Sequence, residues 1–326
     1  MTAARALLAS IFIAAALSSL RAQEMPADGL LAGAGGGSNY LSYGFDDAFG
    51  SKDAPTILNH RVDAGVVVSS SADESISLSE HFGRFGLSGD PEIPGASYAV
   101  PRSLWSEQTG ARYERALDGG KSWGAGGSVG SDSDRLFNSM RETTFRGMVD
   151  LRVPSTSGGA WIFLLSYSNN RYFLNNVPLP GVAYEFHSDS GRVRGIVGLP
   201  FAALRWKISP LWDARFSLFG PRRMSADFGR RIFRRLRAHG GFDWGGQSWL
   251  PVERPDYYAP LSFERKRLYL GASAPLSRGF MLDVSGGRQF DQYFYEGRRL
   301  TAGARASLPP CWYVATSLSW RFSPGL

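Results

Sequence analysis

The 326-residue chain holds one cysteine, Cys311, and only four histidines. A lone thiol excludes an internal disulfide framework. His60, His81 and His239 have no cysteine or histidine neighbour at metal-ligand spacing, so neither a metal nor a cofactor is expected. Apolar runs are short: the longest, within Leu7–Leu17, cannot cross a bilayer as a helix. The run Gly33-Ala34-Gly35-Gly36-Gly37 is neither preceded by an apolar strand nor followed by Lys-Ser or Lys-Thr, which excludes a phosphate loop. Acidic residues are outnumbered, 29 against 36 basic, giving a net charge of +7. That excess can serve anionic headgroups, an anion-attracting interior, or neither.

What is present begins with an export signal. Arg5, the apolar run and the ending Leu20-Arg21-Ala22 read as a cleavable signal peptide over residues 1–22. Export leaves no nucleic-acid partner to expect. Residues 23–60 are poor in periodicity and rich in glycine, and read as a flexible leader, with Asn39 to Phe45 as a possible short extra strand.

From residue 61 to 322 a period of two prevails. Phe145, Gly147, Val149, Leu151 and Val153 alternate with Arg146, Met148, Asp150 and Arg152, and Trp212, Ala214, Phe216 and Leu218 with Asp213, Arg215 and Ser217. Such alternation predicts strands with one apolar and one wet face. Glu80 and Glu107 interrupt the apolar rows of two early segments. The last stretch, Arg298 to Phe322, reads as a hairpin turning at Pro309-Pro310-Cys311, with Trp312, Val314, Thr316, Leu318, Trp320 and Phe322 on one face.

Aromatics follow several tight turns at once: Trp123, Trp161, Trp212, Phe280 and Trp312. Placed there, they would make a belt at one membrane interface; the plainer account is that aromatic residues favour strands. The predicted fold is all-β, a transmembrane antiparallel up-and-down barrel with an even strand number near 12 (range 12–16). Its first and last strands must pair, because an open edge cannot stay unpaired in hydrocarbon. Orientation conflicts with this reading: a hairpin at Pro309 puts the tight turn outside and the long Gly245–Leu261 connection inside.

The alternating strands and the final Trp320-Arg321-Phe322 resemble bacterial outer-membrane β-barrels over Arg61 to Phe322. The chain departs from them in ending on Ser323-Pro324-Gly325-Leu326 after the aromatic. A narrower stretch, about Asn176 to Pro221, with Val177-Pro178-Leu179-Pro180-Gly181 and Gly198-Leu199-Pro200-Phe201-Ala202, is similar to a group of such barrels of uncharacterised function. The resemblance implies residence in the outer membrane, with its lipids and the barrel-assembly machinery as partners.

The candidate pore-lining series is Arg146, Asp150, Arg152, Asp213, Arg215, Arg235, Arg237, Asp243, Arg265, Arg267, Asp283 and Arg305. Mixed charges of this kind either line a water-filled pore or pair into a plug. The dense cluster Arg230-Arg231, Arg234-Arg235 and Arg237 has three readings: a solvated turn, a headgroup contact, or a selectivity site. Catalysis is not expected. In His187-Ser188-Asp189-Ser190 the adjacent His and Ser would face opposite sides of a strand. The expected function is a passive channel for small polar or anionic solutes, the solute itself unknown. The alternatives are a closed structural or lipid-contacting barrel and, third, a soluble secreted β-sandwich.

Overall fold

In the computed structural model, residues 39–50, 55–96, 98–156, 158–171, 174–220, 222–233, 235–297 and 304–323 are described. The expected signal peptide, most of the expected leader and the glycine run lie outside them. The described residues form one antiparallel sheet closed on itself. In chain order the strands are β1 (Asn39–Phe49), β2 (Ile57–Ser70), β3 (Glu74–Leu87), β4 (Ser103–Ala116), β5 (Ser122–Ser133), β6 (Thr143–Pro154), β7 (Ala160–Ser168) and β8 (Leu179–His187). They continue as β9 (Val193–Leu199), β10 (Phe201–Lys207), β11 (Trp212–Phe219), β12 (Arg223–Phe233), β13 (Leu236–Trp249), β14 (Leu261–Ser277), β15 (Phe280–Glu296), β16 (Arg305–Leu308) and β17 (Cys311–Phe322).

The last two segments are one stave. β15 pairs Gln292 with Leu308 and Gln289 with Cys311, three residues apart on both chains, so the register runs unbroken across Pro309-Pro310. The prolines have no N–H to give the ladder, and they interrupt its hydrogen bonds without turning the chain. The expected hairpin is therefore a single strand, and residues 298–303 of its supposed first arm lie outside the described residues. Counting this strand once leaves sixteen staves, the upper end of the expected range rather than twelve. Very short connections and short strands such as β9 and β10, seven residues each, fit more staves into the chain than the usual allowance.

The ring closes through β1. Asn39 to Phe49 pairs in full register with Phe322 to Trp312 on one side and with β2 on the other. First and last strands do pair, but the barrel begins at Asn39, inside the segment expected to be leader.

The corrected count also resolves orientation. Both chain ends of the barrel now lie on one rim, with seven connections of two to five residues, among them 71–73, 188–192 and 278–279. In the two-residue turn 278–279, Gly279 takes φ +82, a conformation open to glycine at no steric cost. The opposite rim carries the longer connections 88–102, 134–142, 169–178 and 250–260, together with two short ones, Pro200 between β9 and β10 and the three residues between β11 and β12. Short turns mark the periplasmic rim of such barrels, so the connection before β14 faces outward and starts only after Trp249. Trp123, Trp161, Trp212 and Phe280 all follow turns on the short-turn rim, whereas Trp312 lies near the other end, because Pro309-Pro310 is no turn.

Outward rows are apolar and exposed, as with Val149 and Leu151 on β6 or Leu268 and Leu270 on β14. Apolar residues facing out and polar ones facing in are the arrangement lipid requires.

Candidate functional site

Sixteen staves enclose enough width for an aqueous channel. This lumen is instead filled at its loop end. Strands β13 to β15 extend beyond their neighbours and bend inward until the end of β13 reaches the opposite wall. The Leu250 amide donates to the Asp132 carbonyl at 2.6 Å, and Ser133 Oγ donates to the Leu250 carbonyl at 2.9 Å. β5 and β13 are eight staves apart in a ring of sixteen, so these bonds span the barrel.

The inward bend carries aromatics with it. Phe85 of β3 meets Trp249, Phe263 and Phe294 at ring distances of 5.1, 5.2 and 5.9 Å. Ile93 and Val100 of connection 88–102 and Leu104 complete a buried cluster at the mouth. Above it the loops are latched. Arg254, in connection 250–260, is buried with Glu142 of connection 134–142 at 3.2 Å. The same guanidinium also donates to the carbonyls of Leu250 and Pro251, at 3.0 and 2.8 Å. Burial lowers the Arg254 pKa, and the Glu142 carboxylate opposes that shift.

Beneath this roof lies a cavity of about 1060 Å³ that runs to the short-turn rim, from Trp249 and Phe263 down to Ser277, Phe280 and Arg321. Of the twelve predicted residues, Arg215, Arg237, Asp243, Arg265, Arg267 and Asp283 line it. Most of the lining charges have partners. Arg267 binds Asp46 at 2.7 Å and lies 4.2 Å from the Tyr313 ring centre, and Arg265 reaches the same carboxylate at 3.5 Å. Arg237 bridges Asp213 (2.6 Å) and Asp227. His239 sits between Asp227 (3.1 Å) and Asp283 (2.9 Å).

The others are placed elsewhere. Arg146 pairs with Asp132 at 3.2 Å, Asp150 with Arg112 at 2.8 Å and Arg152 with Glu185 at 3.1 Å, all on the inward face of β4 to β8 but outside the main cavity. Asp213 serves Arg237. Arg235 is exposed in the turn between β12 and β13, and Arg305 is exposed beside the Tyr293 ring at 5.2 Å; neither lines the cavity. The basic cluster is split in the same way: Arg230 points outward over Trp212 at 5.1 Å, Arg237 points inward, and Arg234 lies outside the described residues. Ser188 and Ser190 sit in the turn 188–192, 3.2 Å apart at their hydroxyls.

Asp46, Arg61, Asp63 and Asp227 are inward-facing charges that the sequence did not single out. Asp46, Arg61 and Asp63 belong to β1 and β2, at or beside the expected leader, where two adjacent acids, Asp46-Asp47, mask the period. Asp227 was legible in principle, since it alternates with Ala226 and Phe228 on β12.

No family model matches the sequence, and no curated protein matches it. Solved structures to which the chain is similar include an outer membrane channel from Pseudomonas putida F1, 13% identical over 89% of this chain and 97% of that one, with a TM-score of 0.34. A deletion mutant of the monoaromatic hydrocarbon channel TodX is 11% identical, covering 95% and 96%, with a TM-score of 0.42. The translocator domain of the autotransporter NalP from Neisseria meningitidis is 13% identical, covering 98% and 97%, with a TM-score of 0.31. The closed ring and the outward apolar rows make this chain a barrel of the bacterial outer-membrane type.

Proposed function

We propose that the protein is a gated outer-membrane channel for small polar solutes, held shut at its outer mouth in the conformation described. The single observation that carries the reading is the polar cavity of about 1060 Å³ ending beneath a roof made of loops and strand ends rather than of barrel wall. Protein interiors are otherwise close-packed, so a purely structural barrel has no need to leave a charge-lined space of this size unfilled. Paired arginines and aspartates suit a conduit that hydrates polar solutes without trapping one sign of charge. The aromatic roof favours the second reading, a permanently closed barrel, and the experiment must separate the two.

The latch supplies that experiment. Arg254→Ala combined with Asp134→Ala removes both polar side-chain ties between connection 250–260 and connection 134–142 while leaving every barrel stave intact. In planar bilayers the wild type is expected to conduct in rare, brief events and the variant persistently, with matching swelling of sugar-loaded liposomes. A variant that is folded, resistant to unfolding in cold detergent and still non-conducting would reject the channel in favour of the closed barrel. The proposal includes export with cleavage after Ala22, assembly by the envelope's barrel-folding machinery, and no catalytic step. An N-terminus other than Gln23 on the mature protein would overturn the cleavage site alone.

A further inference from the structure

We propose that the outer wall of the barrel carries a binding site for an anionic, phosphate-bearing membrane lipid, with the phosphate on Arg288 and an acyl chain in a groove across β10 to β15. The site is independent of transport through the lumen. Register partners define it: Leu204 pairs with Phe216, Phe216 with Ala226, Ala226 with Phe242, Phe242 with Leu268, and Leu268 with Arg288. Arg288 pairs in turn with Trp312. At about 4.8 Å per strand these six steps span roughly 29 Å. Because staves tilt by about 40°, the row climbs obliquely, from near the short-turn rim at Leu204 to the loop-side interface at Trp312.

The row is a groove because small residues floor it. Ala214, Ala226, Gly240 and Gly286 lie low between Phe216, Phe228 and Leu270, and the depression holds about 930 Å³ with almost wholly apolar walls. At its upper end the chemistry changes. The Arg288 guanidinium is exposed and stands 5.6 Å from the Trp312 ring centre. It has no carboxylate within ion-pair distance among the described residues, whereas neighbouring Lys266 is engaged by Asp291 and lies over Trp244. A free cation at an aromatic girdle above an acyl-sized apolar groove matches a phosphate at headgroup depth. A second copy of this chain fits less well. The only carboxylate among the groove residues, Asp227, points inward to Arg237 and His239, leaving Arg288 unanswered across any interface made by this face.

Native mass spectrometry of the refolded barrel in detergent tests the site with two lipids of equal chain length, dimyristoyl phosphatidylglycerol and dimyristoyl phosphatidylcholine. The wild type is expected to retain phosphatidylglycerol about fivefold better, the scale of one cation near a membrane surface. Arg288→Gln should erase that preference, and Ala226→Leu, which fills the groove, should lower retention of both lipids. Arg84→Gln, which removes a different rim cation lying over Trp105, should change neither. Equal retention by the wild type, a preference surviving Arg288→Gln, or unaltered retention in Ala226→Leu would overturn the proposal. So would a dimer that Ala226→Leu dissociates, because the groove would then belong to a protein interface. Heat-dependent mobility in gels confirms that each variant is a folded barrel.

Discussion

The amide of Leu250 and the carbonyl of Asp132 are joined at 2.6 Å across the full width of the barrel. This bond is made by strand ends rather than by a separate plug domain, so closing the mouth uses the ordinary currency of a β-sheet. Asp134 continues the seam, its Oδ1 accepting from the Val252 amide at 2.8 Å. Opening the mouth therefore requires a handful of hydrogen bonds, the Arg254–Glu142 ion pair and the contacts of Phe85 with three rings to be given up, while the sixteen-stave ring is untouched.

Phe85→Ala tests the aromatic part of that closure. Phe85 is 3% exposed and touches three rings of the inward-bent strands. Truncation should cost about 3–5 kcal/mol in urea unfolding, as for other buried phenylalanines. It should also raise the frequency of channel openings. A full loss of stability with no change in conductance would place Phe85 in the core but outside the gate.

Asp46→Asn tests the lumenal charge balance. One carboxylate serves both Arg265 and Arg267, and all three side chains are largely buried. Losing it should destabilise the fold by about 3–5 kcal/mol, the usual result of stranding a buried partner. In the background of the Arg254→Ala/Asp134→Ala barrel, reversal potentials in a salt gradient should shift toward anion preference. A shift toward cations would mean that ions do not pass this cluster.

How much of this was legible in the sequence depended on locality. The strand Thr143–Pro154 announces itself because each side chain's face is set by its own parity, and Arg146, Asp150 and Arg152 do turn inward. Pro309-Pro310 misled because the same dipeptide marks a turn and a break in a strand; only the register with Gln292 and Gln289 distinguishes them. β1 was obscured by Asp47, an acid in the outward row between Phe45 and Phe49. The closure at Leu250 had no local signal at all, since its partner lies 118 residues earlier and two opposite walls must first be built.

Orientation is open to direct labelling, helped by the burial of the only natural thiol, Cys311, at 3% exposure. Tyr258, 59% exposed in connection 250–260, replaced by cysteine should react with a membrane-impermeant maleimide on intact cells. Asp189→Cys, in the exposed turn of the opposite rim, should react only after the outer membrane is permeabilised. The reverse pattern would invert the barrel in the membrane and place the closed mouth on the periplasmic side.

Glu80 and Glu107, the two acids that break early apolar rows, face outward in the structure. Glu80 shares its row with Ile76, Leu78 and Phe82, all exposed, and Thr109 donates to Glu80 at 2.6 Å and approaches Glu107 at 3.1 Å. The pair Phe82–Trp105 lies on the loop side of them and Tyr113–Trp123 on the other, so both carboxyl groups sit between aromatic girdles. Lipid on this face makes such groups a cost, smaller than the 2–4 kcal/mol of a basic residue at the midplane. Glu80→Leu should then stabilise the barrel in lipid vesicles by about 1–2 kcal/mol, measured as a higher urea midpoint with an unchanged slope. A loss of stability on that substitution would mean that the acids answer a polar partner, and that the wall formed by β3 and β4 meets protein in the membrane rather than lipid.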